Sequence, residues 1–187
     1  GLAQPPSSGS AVVRDVEELY AGIPLDRPRL MAIVNVTPDS FSDGGERLAP
    51  AQAIEDGLRF VSEGADIVDV GGESTRPGSQ PTSPDEELRR ILPVVEGLAR
   101  QKAVVSVDTR RASVARAALD AGARIVNDVS ALRDDEAMLP LVVDRDADIV
   151  LMHRRGLPEN TFAGPAYADV VEDVRRFLLE RAAVCEG

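Results

Sequence analysis

The feature that most constrains this chain is an alternation. Short apolar runs recur at Leu30–Asn35, Asp66–Val70, Ala103–Val107, Arg124–Asn127 and Asp148–Met152. Between and after them, longer segments carry helical spacing, at Ala51–Glu63, Pro84–Arg100, Arg111–Ala121, Asp134–Asp144 and Ala166–Cys185. Apolar runs this short, bounded by turn residues, suit strands buried on both faces. Strands alternating with helices predict a parallel sheet with helical crossovers, an α/β fold. Local signals agree: Ser83 suits a helix cap with Pro84 in the first turn, and Gly122 suits a helix stop. Ahead of this pattern, residues 1–10 are rich in Gly, Ser and Pro and are expected to be disordered. Apolar spacing over Val12–Tyr20 predicts an appended helix on the outside or bottom of the domain, ended by Pro24 and Pro28. The chain thus divides into an N-terminal tail and helix over 1–27 and a β/α domain over 28–187.

Two architectures fit five β/α units: an open doubly wound sheet and a (β/α)8 barrel. In the first, ligand groups gather where strand order reverses; in the second, every strand ends at the same mouth. Here the strands end in Asn35, in Asp69 with Glu73, in Asp108, in Asn127 with Asp128, and in His153. Alternation puts Ile33 with Asn35, Ile67 with Asp69, Ser106 with Asp108 and Ile125 with Asn127 on one face each. An interior residue followed by a polar one at the top, strand after strand, favours the barrel. Ile33, Ile67, Ile125 and Ile149 are expected to face inward. A full barrel takes about 250 residues and eight strands, and five strands are visible here.

The segment Met31–Gly45, MAIVNVTPDSFSDGG, changes at Asn35 from a buried run to a polar, turn-rich loop. Such loops, held still by strands, carry chemistry in α/β proteins. A second loop, Gly71–Ser79, offers Thr75, Arg76 and Pro77. Arg76 could pair with an anionic substrate or with Glu73. Asp108 could accept hydrogen bonds from a flat heterocycle or cap the helix beginning near Arg111. Asn127–Asp128 poses the same choice, and an Asn amide both donates and accepts, as a pteridine or purine edge requires. His153, the only histidine, reads as structural, with no nucleophile or acid arranged around it. No HExxH, CxxC pair or P-loop is present. Acidic residues outnumber basic ones 32 to 21, a formal net charge of −11, which argues against a free-standing nucleic-acid or anionic-membrane binder. One cysteine permits no intrachain disulfide, and no signal peptide or membrane span is visible, so a cytoplasmic location is expected.

NVTPDSFSDGG at 35–45 and GADIVDVGGESTRPGS at 64–79 resemble the two signature segments of dihydropteroate synthase. SVDTRRASVARAALDAGARIVNDVSAL at 106–132 and LMHRRG at 151–156 are similar to that family's next two strand-end segments, in the same order. The likeness covers about residues 28–187 and implies a (β/α)8 barrel. It implies a transferase that joins p-aminobenzoate to 7,8-dihydropterin-6-ylmethyl diphosphate, giving dihydropteroate and pyrophosphate in folate biosynthesis. By the same resemblance Asp108 and Asn127 would hold the pterin ring, with Val129 and Met152 lining its pocket. Asn35 would reach the Mg²⁺–diphosphate end, and the loop Thr37–Gly45 would close over pyrophosphate. Thr75, Arg76 and Pro77 would shape the p-aminobenzoate pocket, where sulfonamides compete. The family is often a homodimer. No nucleophilic triad is needed, because the aryl amine is itself a nucleophile and positioning and electrostatics carry the rate.

The resemblance departs at the C-terminal end. The family's strand-six Asp, its later Lys and its closing Arg-x-His have no counterpart before Gly187. The 187 residues alone are therefore expected to lack synthase activity. Two other readings compete. A pterin-binding methyltransferase domain shares the barrel but has no reason to carry both TPDSFSDGG and STRPGS. A non-catalytic fragment would retain part of a pterin pocket, and a pterin titration beside an activity assay separates it from an enzyme.

Overall fold

The five apolar runs form one parallel sheet, with each strand beside its sequence neighbour. The strands are Met31–Asn35 (β3), Ile67–Gly71 (β4), Val105–Asp108 (β5), Ile125–Asp128 (β6) and Asp148–Leu151 (β7). Nowhere does the order reverse, so this is the wall of a (β/α)8-type barrel rather than a doubly wound sheet. The computed structural model describes residues 19–37, 49–73, 82–154 and 167–186.

Helices α1 (Ala49–Ser62), α2 (Pro84–Arg100), α3 (Ala112–Asp120), α4 (Met138–Asp144) and α5 (Val170–Glu186) follow the strands in turn. The strand face that meets them is valine: Val34, Val68, Val70, Val105, Val107 and Val126 are buried there. Against it pack Ile91, Val94, Val95 and Leu98 of α2, Val114, Ala115 and Ala118 of α3, and Met138 and Leu141 of α4. Each valine, isoleucine, leucine or methionine among them taken fully from water contributes about 1.5–3 kcal/mol. Helices α1 and α2 approach closely at Gly97, where a Cβ would stand 2.4 Å from Ile54 Cδ1. Ser83 caps α2 as expected, its Oγ accepting from Glu86 N at 3.3 Å.

Register places Ile33, Asp69, Ser106, Ile125 and Asp148 in one layer of the inner face, above Met31 and Ile67. Ile33, Ile67 and Ile125 point inward as expected. Ile149 does not: it pairs with Val126 and packs on the helix side, because Asp148 takes the inward position.

Asp148 is held inward by a feature the sequence pattern misassigned. The predicted helix over Val12–Tyr20 lies mostly outside the described residues, and its last two residues are strand. Leu19–Tyr20 (β1) pairs antiparallel with Ile23–Pro24 (β2). The turn residues Ala21 and Gly22 both have positive φ, 50° and 77°, as a two-residue hairpin turn requires. Ala21 N donates to Asp148 Oδ2 at 2.9 Å, and Arg124 donates to Ala21 O at 3.3 Å. Ala21 then packs with Ile67 and Ile125, flanked by Tyr20, Ile23 and Met31, and the hairpin covers the N-terminal end of the inner face. These tertiary contacts outweigh the helical spacing of the short segment.

Candidate active site

The upper layer of the inner face is where the strands end. Register aligns Asn35 with Gly71, Gly71 with Asp108, Asp108 with Asn127, and Asn127 with Val150. Side chains from four strands thus converge at one mouth. Gly71 leaves a gap in this ring: a Cβ there would lie 3.5 Å from Asp108 Oδ2 and 3.7 Å from Asn35 Oδ1. Any other residue would put its side chain between those two groups.

Asp108 is half-buried and does not cap α3. Arg111 takes the cap position, and the first free amide, Ala112 N, donates to Asp135 Oδ2 at 2.7 Å. The carboxyl of Asp108 is left facing the mouth. Burial, then the charges of Asp69, Glu87, Asp128 and Glu73, push its pKa up from 3.8 to about 7. Asn127 and Asp128 divide the two roles that the sequence left open. Asp128 is buried and fixes the following turn, accepting from Ser130 N at 2.8 Å and Leu132 N at 2.9 Å. Asn127 faces inward, its Nδ2 donating to Asp69 Oδ2 at 2.9 Å. Burial pushes the Asp69 carboxyl up, opposed by the hydrogen bond from Asn127.

An ionic girdle ties the loops around this mouth. Arg111 donates to Glu73 at 3.0 Å, to the Thr82 carbonyl at 2.9 Å and to Glu87. Arg110 bridges Glu73 at 3.4 Å and Asp134 at 3.3 Å, and Arg154 pairs with Asp134 at 3.0 Å. Burial would raise the Glu73 pKa, but hydrogen bonds from Arg111 and Thr82 N and the charges of Arg111 and Arg110 bring it below the usual range. Glu73 therefore has described partners other than Arg76. Glu87, 0% exposed on α2, is the girdle's innermost acid. His153 packs edge-on against Phe177, with ring centroids 5.0 Å apart, and lies 5.9 Å from Tyr167, a structural setting.

Of the residues the sequence nominates, Asn35, Asp108 and Asn127 come together in the upper layer. Val129 follows Asn127 and is half-buried, and Met152 follows β7 with 39% exposure. Thr75, Arg76 and Pro77 lie outside the described residues, as does most of the loop Thr37–Gly45. Among the described residues no group of three or more His, Cys, Asp or Glu could hold a metal. Asp69 and Glu87 were not nominated. Asp69 showed itself only as a strand-end acid sharing a face with Ile67, and Glu87 gave no signal beyond helical spacing. No described helix is long and apolar enough to cross a membrane.

A family model described as pterin binding enzyme matches residues 31–187. The dihydropteroate synthase of Mycobacterium leprae is 56% identical over 152 residues, covering 81% of this chain and 54% of that protein. The solved dihydropteroate synthase of Xanthomonas albilineans with 4-aminobenzoic acid superposes with a TM-score of 0.80 at 51% identity, covering 89% of this chain and 59% of that one. That of Yersinia pestis with a sulfonamide drug gives a TM-score of 0.80 at 41% identity, covering 90% and 62%. The chain spans a little over half the length of these three relatives.

Proposed function

The chain belongs to the pterin binding enzyme family, and from that premise we propose that it carries the pterin-binding part of a dihydropteroate synthase site in folate biosynthesis. The reaction joins p-aminobenzoate to 7,8-dihydropterin-6-ylmethyl diphosphate. The observation that carries the reading is the upper layer, where Asn35 and Asp108 flank the gap at Gly71 and Asn127 stands beside Asp108. Asp108 and Asn127 bind the pterin edge, and Val129 and Met152 flank the ring. When the bond from the pterin methylene carbon to the diphosphate oxygen breaks, the ring takes up positive charge. The ionised Asp108 carboxylate offsets that charge. The arylamine lone pair forms the new C–N bond, the amine loses a proton, and pyrophosphate leaves with the electron pair of the broken bond.

Mg²⁺ fits this site as a companion of the substrate. It usually keeps several waters and takes substrate phosphate oxygens, so one protein oxygen suffices and Asn35 Oδ1 would supply it. Bound there, the ion would offset charge growing on the leaving diphosphate. Thr75, Arg76 and Pro77 shape the p-aminobenzoate side, where a sulfonamide competes. The proposal takes in a cytoplasmic location, on the single cysteine, and a homodimer, on the resemblance alone. The test is fluorescence titration of the chain with 6-hydroxymethylpterin, beside an assay of pyrophosphate release from both substrates with Mg²⁺. Pterin binding lost on Asp108→Ala supports the reading. Pterin binding that Asp108→Ala and Asn127→Ala leave unchanged overturns it.

A further inference from the structure

Asp69 has no role in the chemistry above, yet it is 3% exposed on the inner face, one layer below Asp108 and Asn127. Barrel interiors normally fill such layers with branched apolar side chains. A buried carboxylate there costs stability unless its oxygens are matched. Among the described residues Asp69 makes one side-chain hydrogen bond, Oδ2 accepting from Asn127 Nδ2 at 2.9 Å. Its Oδ1 is buried without a partner, and the neighbouring Ser106 Oγ meets no hydrogen-bond geometry.

An ionised carboxylate only accepts, so it admits only the nitrogen end of the Asn127 amide and turns Oδ1 away. Asn127 is the register partner of Asp108, whose carboxylate also accepts. Together they set two acceptors side by side at the strand ends. The matching ligand edge has two neighbouring N–H donors, as a 2-amino pteridine does. A 2-oxo pteridine would bring a carbonyl against an acceptor.

We propose that Asp69 is a positioning residue that locks the Asn127 amide in one orientation and so makes the site read the amino-bearing edge of a pteridine against an oxo edge. This rests on the pterin reading given above. The experiment titrates the chain and its Asp69→Asn variant with 6-hydroxymethylpterin and with 6-hydroxymethyllumazine, its 2-oxo counterpart, following ring fluorescence. Asp69→Asn keeps size and lets the Asn127 amide sit either way. The preference for the 2-amino ring should narrow by about fivefold, the worth of one hydrogen bond, with the 2-oxo ring gaining. Ser106→Ala should leave the preference in place. A second readout needs neither ligand nor variant: in ¹H–¹⁵N spectra of the unsubstituted chain, one Asn127 side-chain amide proton should exchange with solvent far more slowly than its partner. An unchanged preference in Asp69→Asn, or Asn127 amide protons that both exchange freely, overturns the proposal. Failure of the unsubstituted chain to bind either ring would instead remove the pterin reading, while the exchange measurement still decides the Asp69–Asn127 contact.

Discussion

Replacing Asp108 by Asn should stabilise the chain, and only above acidic pH. The carboxyl is half-buried among Asp69, Glu87, Asp128 and Glu73, and its pKa rises from 3.8 to about 7. The folded chain therefore keeps this proton after the unfolded chain has lost it. Between about pH 4 and 7 the folded state binds more protons, so this group's contribution to stability falls as pH rises through that window. The full shift corresponds to about 4 kcal/mol, a ceiling that relaxation and water around the mouth reduce to about 1–3 kcal/mol. Asn keeps the shape and removes the charge, so Asp108→Asn should match the unsubstituted chain near pH 4 and exceed it by that amount near pH 8.5. Urea unfolding followed by far-ultraviolet circular dichroism at these two pH values measures the difference. A gap of the same size at both, or a less stable variant at the higher pH, would refute the electrostatic argument. The same variant should lose pterin affinity, because the charge that strains the fold is the one proposed to accept from the ring.

Arg111→Met should cost about 3–5 kcal/mol in a urea melt, because it strands the fully buried Glu87 charge and unties Glu73; adding Glu87→Gln should recover part of the loss. Asp135→Ala removes the acceptor for Ala112 N at the start of α3 and should cost about 1 kcal/mol by the same assay. In a chain completed with the C-terminal part of a full-length relative, Asn35→Ala should raise the Michaelis constant for the pterin diphosphate and make it less sensitive to Mg²⁺, whereas Arg76→Ala should act on p-aminobenzoate. Steady-state kinetics separate the two, and both changes falling on one substrate would contradict the division of roles.

The parts of this fold legible in the sequence are those written in period and spacing. Strand alternation alone placed Asn35, Asp108 and Asn127 on one face, because a parallel register preserves the period-two pattern across neighbours. Ser83 and Pro84 gave the start of α2 because capping is local. The misreadings came where a distant partner decides. Leu19–Tyr20 is strand because Ala21 N reaches Asp148, 127 positions away. Ile149 turns to the helices for the same reason, since Asp148 occupies the inward place. The open choices at Asp108 and Asp128 were resolved by residues from other loops: Asp135 takes the cap that Asp108 might have filled, and the turn after β6 consumes Asp128. Asp69, read from the sequence as a strand end, lies inside β4 one layer below the mouth, and nothing local signals what it orients. Its meaning lies in a hydrogen bond to a residue 58 positions on. At this mouth the acids differ by what the fold supplies to each, a backbone turn for Asp128, an arginine for Glu73, an amide for Asp69. Asp108 alone among them has no hydrogen-bond partner among the described residues, which supports the role proposed for it against the pterin.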